Sequence, residues 1–305
     1  MTKDMHPILV VALGGNALLK RGETPKDSIQ RERVREVVDA LAPLIRDYRL
    51  AITHGNGPQV GLLALQAAAL DETDRPFDTL GAQSQGMIGY WLMLQMIDHG
   101  GFGSVQALIS PVEVAADDPA FASPAKPIGP VYDSDTARIM ADRSNWTMMA
   151  DTGGFRRVVA SPLPVGLPGI AVMRNLIACG VTIVTCGGGG VPVARSDNGG
   201  WLGVEAVVDK DRTAALLAQE LGAAGLLILT DVKAVMENFG TDRERPLREI
   251  SARQINPADY PPGSMGPKLE SAADFVRRTG HPAWIGQLSD AAEIVAGRAG
   301  TRIVP

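Results

Sequence analysis

Ile8-Leu9-Val10-Val11-Ala12-Leu13 runs straight into Gly14-Gly15-Asn16, and the chain repeats that construction three more times. Leu50-Ala51-Ile52-Thr53 opens into His54-Gly55-Asn56-Gly57-Pro58, and Val181-Thr182-Ile183-Val184-Thr185-Cys186 into Gly187-Gly188-Gly189-Gly190. The fourth run is Leu226-Leu227-Ile228-Leu229, ending in Thr230-Asp231. A short unbroken apolar run bounded by turn residues reads as a strand buried on both faces, the kind found in parallel sheets. In an open α/β sheet, ligands settle outside the carboxyl ends of such strands, and glycine there lets backbone N–H groups approach an anion. Several such loops on one sheet edge imply a long polyanionic ligand, or two ligands end to end.

Helical periodicity fills the connections. Ile29, Val34, Val37, Val38, Leu41, Leu44 and Ile45 share a face, Asp27 or Ser28 fits the N-cap, and Pro43 kinks or ends the helix. Pro58 stands where the next helix begins, a position at which its missing N–H has no cost, and Val60, Leu62, Leu63 and Leu65 continue an apolar face. Strand, loop and helix repeating in this order predict an α/β fold, a three-layer sandwich with a largely parallel central sheet and right-handed crossovers. Between Pro111 and Pro168 prolines crowd and apolar periodicity fades, which predicts a small protruding lid subdomain of hairpins and turns over about 112–168. Beyond Val204 the α/β texture returns, with helices over 213–221 and 271–278 and strands over 226–229, 284–286 and 301–304.

The chain has 305 residues, 45% of them hydrophobic and 21% charged, the balance of an ordinary globular protein. A net charge of −5, with basic residues scattered, argues against a nucleic-acid surface. Cys179 and Cys186 lack a metal-ligand spacing, and Cys186, at the end of a buried strand, reads as a reduced, inert thiol. The N-terminal residues have no signal-peptide core, and no apolar run approaches the ~18 residues of a membrane span, so a cytoplasmic enzyme is expected. The four histidines include no H-x-x-x-H pair, so no dedicated protein metal site is expected. The P-loop and G-x-S-x-G motifs are absent, and Gly55-Asn56-Gly57-Pro58-Gln59-Val60-Gly61 narrowly misses the dinucleotide fingerprint.

The candidate chemistry lies in lysines beside glycine or acid. Asp209-Lys210-Asp211 opens a helix, where the N-terminus already favours anions; an ordinary solvated helix start would look the same. Pro262-Gly263-Ser264-Met265-Gly266-Pro267-Lys268 is a constrained loop that delivers Lys268 to a helix, or a plain turn. Lys126 lies between Pro124 and Pro127, so a lid could present it at a fixed place or simply expose it. Arg156 and Arg157 are either anion clamps or salt-bridge partners within the lid.

Taken in order, these motifs resemble those of the carbamate kinases, members of the amino acid kinase fold. The likeness spans essentially the whole chain. It is carried by Ala12-Leu13-Gly14-Gly15-Asn16-Ala17, Thr53-His54-Gly55-Asn56-Gly57-Pro58-Gln59-Val60-Gly61 and Ser84-Gln85-Gly86-Met87-Ile88-Gly89-Tyr90. Lys126-Pro127-Ile128-Gly129-Pro130, Arg156-Arg157-Val158-Val159 and Cys186-Gly187-Gly188-Gly189-Gly190 continue it. Gly203-Val204-Glu205-Ala206-Val207-Val208-Asp209-Lys210-Asp211 and the loop ending in Lys268 complete it.

The resemblance implies a single domain over 1–305, with a carbamoyl-phosphate lobe over 1–215 and a nucleotide lobe over 216–305. It implies the reversible reaction of carbamoyl phosphate with MgADP to give carbamate and MgATP, with Mg²⁺ accompanying the nucleotide, a homodimer, and a place in arginine metabolism or in purine or allantoin degradation. Lys210 and Lys268 would bind the transferring phosphoryl group and the nucleotide phosphates, Asp211 would organise them, and Lys126 would reach in from the lid to supply charge where Ala12 replaces a lysine of other amino acid kinases. Gly14, Gly15, Asn16, Gly55, Asn56, Gly57 and Arg157 would bind the substrate, and Asp209, Asp231, Met265 and Gly266 the nucleotide. Lys233 and Met236 depart from the usual pattern near the nucleotide. Two alternatives stay open: an acylphosphate-forming kinase on another carboxylate, and a nucleotide-binding paralogue without catalysis.

Overall fold

Strands form where the uninterrupted apolar runs were read, because side chains on both faces find cover. The computed structural model describes residues 6–20, 23–69, 76–144, 146–151, 153–260 and 265–305. In chain order the main-sheet strands are β1 Ile8–Leu13, β2 Arg49–His54, β3 Val105–Ala107, β4 Thr182–Val184, β5 Gly225–Thr230, β6 Glu249–Ser251, β7 Ala283–Gln287 and β8 Thr301–Val304. They lie side by side as β6-β8-β7-β5-β1-β2-β4-β3. From β3 to β7 every pairing is parallel, with Val10 opposite both Leu226 and Ala51. β8 then runs antiparallel to β7, and β6 runs parallel to β8. One continuous sheet therefore crosses the lobe division expected at residue 215.

The helices are α1 Asp27–Leu41, α2 Gly57–Ala69, α3 Phe77–His99, α4 Ser134–Ser144, α5 Ile170–Ala178, α6 Lys210–Leu221, α7 Met265–Thr279 and α8 Ala291–Val295. Alternation along β1 sorts the two faces of the sheet. Val10 and Ala12 join α5, α6 and α7 through Met173, Leu217 and Phe275, while Leu9, Val11 and Leu13 join α1, α3 and α8 through Leu41, Leu92 and Ile294. Helix, sheet and helix make the three layers, a mixed α/β sandwich about a largely parallel sheet.

Local signals near α1 were read with small errors. The N-cap is Lys26 rather than Asp27 or Ser28, which occupy the first turn, and Pro43 falls in a 3₁₀ turn, Ala42–Arg46, that ends the regular helix. The length of α3 was not anticipated. It buries Leu80, Ile88, Leu92 and Met96 but exposes Tyr90, Leu94 and Ile97, so no single apolar stripe marks it.

A second sheet orders Trp201–Gly203, Val191–Arg195, Pro111–Val114 and Pro164–Gly166. A third, wholly antiparallel sheet has Gly154–Val159 between Lys126–Tyr132 and Thr147–Asp151. With α4, it fills 126–159, a narrower stretch than the 112–168 read from composition, because 111–114 and 164–166 pair with each other in the second sheet. This small sheet rests on α2: a Cβ on Gly61 would stand 2.8 Å from Gly129 Cα.

The Gly187–Gly190 turn corrects one expectation. Its glycines serve close packing rather than an open loop of free N–H groups. Side chains there would overlap the His54 ring, the Asn56 amide, Val208 O and Val112, and Gly188, Gly189 and Gly190 hold φ of +67°, +95° and +91°. Two of its N–H groups are engaged locally, Gly189 with Cys186 O and Gly190 with Gly187 O.

Candidate active site

At the carboxyl edge of β1, β2 and β5 the strands extend one residue into their loops: Gly14 N–H donates to Leu229 O and Gly55 N–H to Leu13 O, both at 2.9 Å. The two glycine loops touch backbone to backbone, since a Cβ on Gly55 would lie 2.9 Å from both Cα and N of Gly15. Beside them opens a cleft of about 270 Å³ lined by Gly14, Gly15, Asn16, Lys210, Thr230, Asp231, Val232, Ala234, Met236, Phe239, Tyr260, Met265 and Lys268. Asn16 Nδ2 donates to Asp231 Oδ2 at 2.8 Å, bridging the ends of β1 and β5.

The charges converge on the first turn of α6. Asp211 is buried there, and its carboxylate takes Lys210 on Oδ1 and Lys268, from the first turn of α7, on Oδ2 at 3.3 Å. Asp209 caps the same helix: its Oδ1 accepts Asp211 N–H at 2.9 Å and its Oδ2 accepts Lys126 Nζ at 2.8 Å. Burial alone would raise the pKa of Asp209; the charge and hydrogen bond of Lys126, then Lys210 and the Asp211 N–H, outweigh it and hold the carboxyl well below its usual range. Three lysines from three elements thus meet two neighbouring acids at a helix N-terminus, a place that attracts anions.

Behind the glycine loops His54 and Asn56 are buried, each with one side-chain nitrogen beside a polar partner. His54 Nδ1 lies 3.0 Å from Gly55 O; burial lowers the ring's pKa to about 4, the Gly55 carbonyl opposing and the charge of Lys210 assisting. Asn56 Nδ2 donates to Ser84 Oγ at 2.7 Å.

Most residues expected at the site gather there, with exceptions. Gly266 is buried in the first turn of α7, behind Met265 on the cleft wall. Gly57 begins α2 and lines a separate cavity with Pro58, Gly61 and Arg156. Arg157 is not among the residues lining the cleft: it pairs with Glu205 at 3.2 Å and lies over Trp146 (4.4 Å) and Phe77 (5.4 Å), joining the small sheet to the start of α3. Arg156 pairs with Asp151 at 3.2 Å. Met236 faces the cleft, while Lys233 is exposed and not among its lining residues. Pro262, Gly263 and Ser264 lie outside the described residues. Val232, Ala234, Phe239 and Tyr260 were missed. For Phe239 a signal existed: Asn238 and Gly240 hold φ of +54° and +78°, an Asn-x-Gly turn that displays the ring between them.

Comparison with known proteins bears on this geometry. The model of the amino acid kinase family matches residues 7–287. The carbamate kinase of Escherichia coli K12 is 47% identical over 296 residues, covering 97% of this chain and 98% of that protein. The carbamate kinase of Pyrococcus furiosus is 40% identical over 311 residues, covering 97% and 99%. Among solved structures, carbamate kinase from Giardia lamblia bound to AMP-PNP superposes with a TM-score of 0.90 at 34% identity, covering 98% of each chain. Identity at this level over nearly the whole length of both proteins shows the family: the chain belongs to the carbamate kinases of the amino acid kinase family.

Proposed function

We propose that this protein transfers a phosphoryl group reversibly between carbamoyl phosphate and MgADP, giving carbamate and MgATP. The observation that carries the reading is Asp211 holding Lys210 and Lys268 together on the cleft wall, beside Gly14-Gly15-Asn16. In the kinase direction the attacking carbamate oxygen is already anionic, so no general base is needed. The barrier is repulsion between that anion and the polyphosphate, plus charge on the transferring oxygens. Positioned ammonium groups and backbone N–H donors lower both. Asp211 keeps the two like-charged lysines in place, so no reorganisation is needed at the moment of transfer.

The cleft wall formed by Val232, Met236, Phe239, Tyr260 and Met265 supports a nucleotide lobe over 216–305, and the glycine loops after β1 and β2 support carbamoyl-phosphate binding by 1–215. Lys126 acts from the small sheet as a lid lysine. Mg²⁺ would accompany the nucleotide; among the described residues no three His, Cys, Asp or Glu side chains gather as a cage, and Asp231 is the cleft carboxylate that would hold it. The ion supplies neutralisation of phosphate charge. Among the described residues no helix is long and apolar enough to cross a membrane, which fits a cytoplasmic enzyme. Tyr90, Leu94 and Ile97, exposed on one side of α3, support a homodimer. A source of carbamoyl phosphate in arginine metabolism fits this site, and one in purine or allantoin degradation fits equally, because the site meets the same molecule.

The test is ATP formation from carbamoyl phosphate and MgADP, with Lys268→Ala beside the wild type. Turnover that falls by about 10²-fold or more in the variant is expected. A wild type that binds ADP but forms no ATP would point instead to another carboxylate or to a paralogue without catalysis.

A further inference from the structure

Ser84 lies fully buried in α3, and its hydroxyl is 2.7 Å from Gly81 O, an atom that can only accept. The Ser84 proton is therefore committed to Gly81. Its oxygen must then meet the Asn56 side chain, also 2.7 Å away, as an acceptor. This fixes the sense of the Asn56 amide from the network itself: the NH₂ faces Ser84, and Oδ1 faces the other way. Among the described residues no donor meets that oxygen, and it is not among the side-chain atoms sealed from solvent without a partner. Asn56 directly follows Gly55, which touches Gly15 at the cleft, and it packs on Gly188 so closely that a Cβ there would overlap the amide. The result is an immobilised carbonyl oxygen, reachable from solvent, beside the loops that take the substrate.

We propose that Ser84, acting through Asn56, makes the substrate site read an amino group: Asn56 Oδ1 accepts an N–H of carbamoyl phosphate or carbamate, and Ser84 is the positioning residue that keeps the amide from turning its own donors toward the substrate. The inference rests on the kinase reading above and deepens it. Acetyl phosphate carries the same phosphate and carbonyl, with methyl in place of NH₂. It cannot donate, so it leaves Oδ1 unpaired, and sites built to bond a substrate N–H discriminate strongly against analogues that lack it.

The test is ATP formation from MgADP with carbamoyl phosphate and with acetyl phosphate, read as the ratio of the two kcat/KM values. Wild type, Ser84→Ala, Asn56→Ala and the double variant are compared, each with its melting temperature. The expected wild-type ratio favours carbamoyl phosphate by about 10²; Ser84→Ala lowers the ratio by about tenfold or more, through the carbamoyl phosphate arm. The double variant should match Asn56→Ala, because Ser84 has no other route to the substrate. An unchanged ratio in a folded Ser84→Ala, or independent losses that multiply in the double variant, would overturn the proposal while leaving the kinase reading intact. Should Ser84→Ala fail to fold, Asn56→Ala decides, an unchanged ratio again refuting. A wild type that makes no ATP from carbamoyl phosphate overturns both.

Discussion

Mild acid should destabilise this protein through one buried ring. His54 is 1% exposed at the end of β2, with Gly55 O at its Nδ1 and Gly187 pressed against its other edge. Of the charged groups on the elements packed around it, Lys210 of α6, itself paired with Asp211, acts on the ring. The folded pKa of about 4 lies below the ordinary 6.5, so between those values the unfolded chain holds a proton that the folded chain does not. Stability is therefore complete above pH 6.5 and falls as pH drops toward 4, by about 1.4 kcal/mol per pH unit and about 3 kcal/mol over the window. From pH 7 to pH 5 the expected loss is about 2 kcal/mol, seen in urea titrations as a midpoint lower by roughly 0.5–1 M. His54→Asn keeps an N–H for Gly55 O but cannot titrate, so it should remove most of that difference. A variant whose midpoint still falls like the wild type's, or a wild type equally stable at both pH values, would refute the account of a neutral buried imidazole.

Two further variants probe the edge of the sheet. Gly55→Ala places a methyl 2.9 Å from the Gly15 backbone, which cannot yield as a flexible side chain would; it should cost about 1–3 kcal/mol and lower turnover at least about tenfold by displacing the first glycine loop. Wild-type melting temperature together with wild-type turnover would contradict the close approach. Lys126→Ala should lower ATP formation by roughly 10- to 100-fold, since it removes a cation held 2.8 Å from Asp209 at the start of α6; near-normal turnover and affinity would end the idea of a lid lysine.

The residues that could be read from sequence were those whose environment is set by the nearest few neighbours. β1, β2, β4 and β5 hold short, mainly apolar runs that stop at or just before glycine or Thr-Asp, so their burial and their ends were both legible. α3 was not, because nearly every side of it is apolar, and α4 was not, because Ala137 is its sole buried residue. Gly187–Gly190 shows the limit of glycine as a signal: it marks a close approach but not what approaches, here His54, Asn56 and Val208 rather than a ligand. The setting of Arg157 was hidden for a related reason, since the rings of Phe77 and Trp146 that it lies over come from distant parts of the chain. Lys210, Asp211 and Lys268 were found as charges at helix starts, but their sharing of one carboxylate exists only once α6 and α7 pack together.

The contact between Gly61 and Gly129 gives the small sheet a fulcrum. Gly61 lies one turn into α2, the helix that begins directly after Asn56, and Gly129 lies in the same strand as Lys126. The strand that carries the lysine and the helix that follows the second glycine loop therefore bear on each other through bare backbone, with no side chain to cushion the joint. Any thickness added at position 61 works as a wedge, transmitted along the strand as a displacement of Lys126 from Asp209, so the reach of a charged group is gauged by two residues that have no side chain at all.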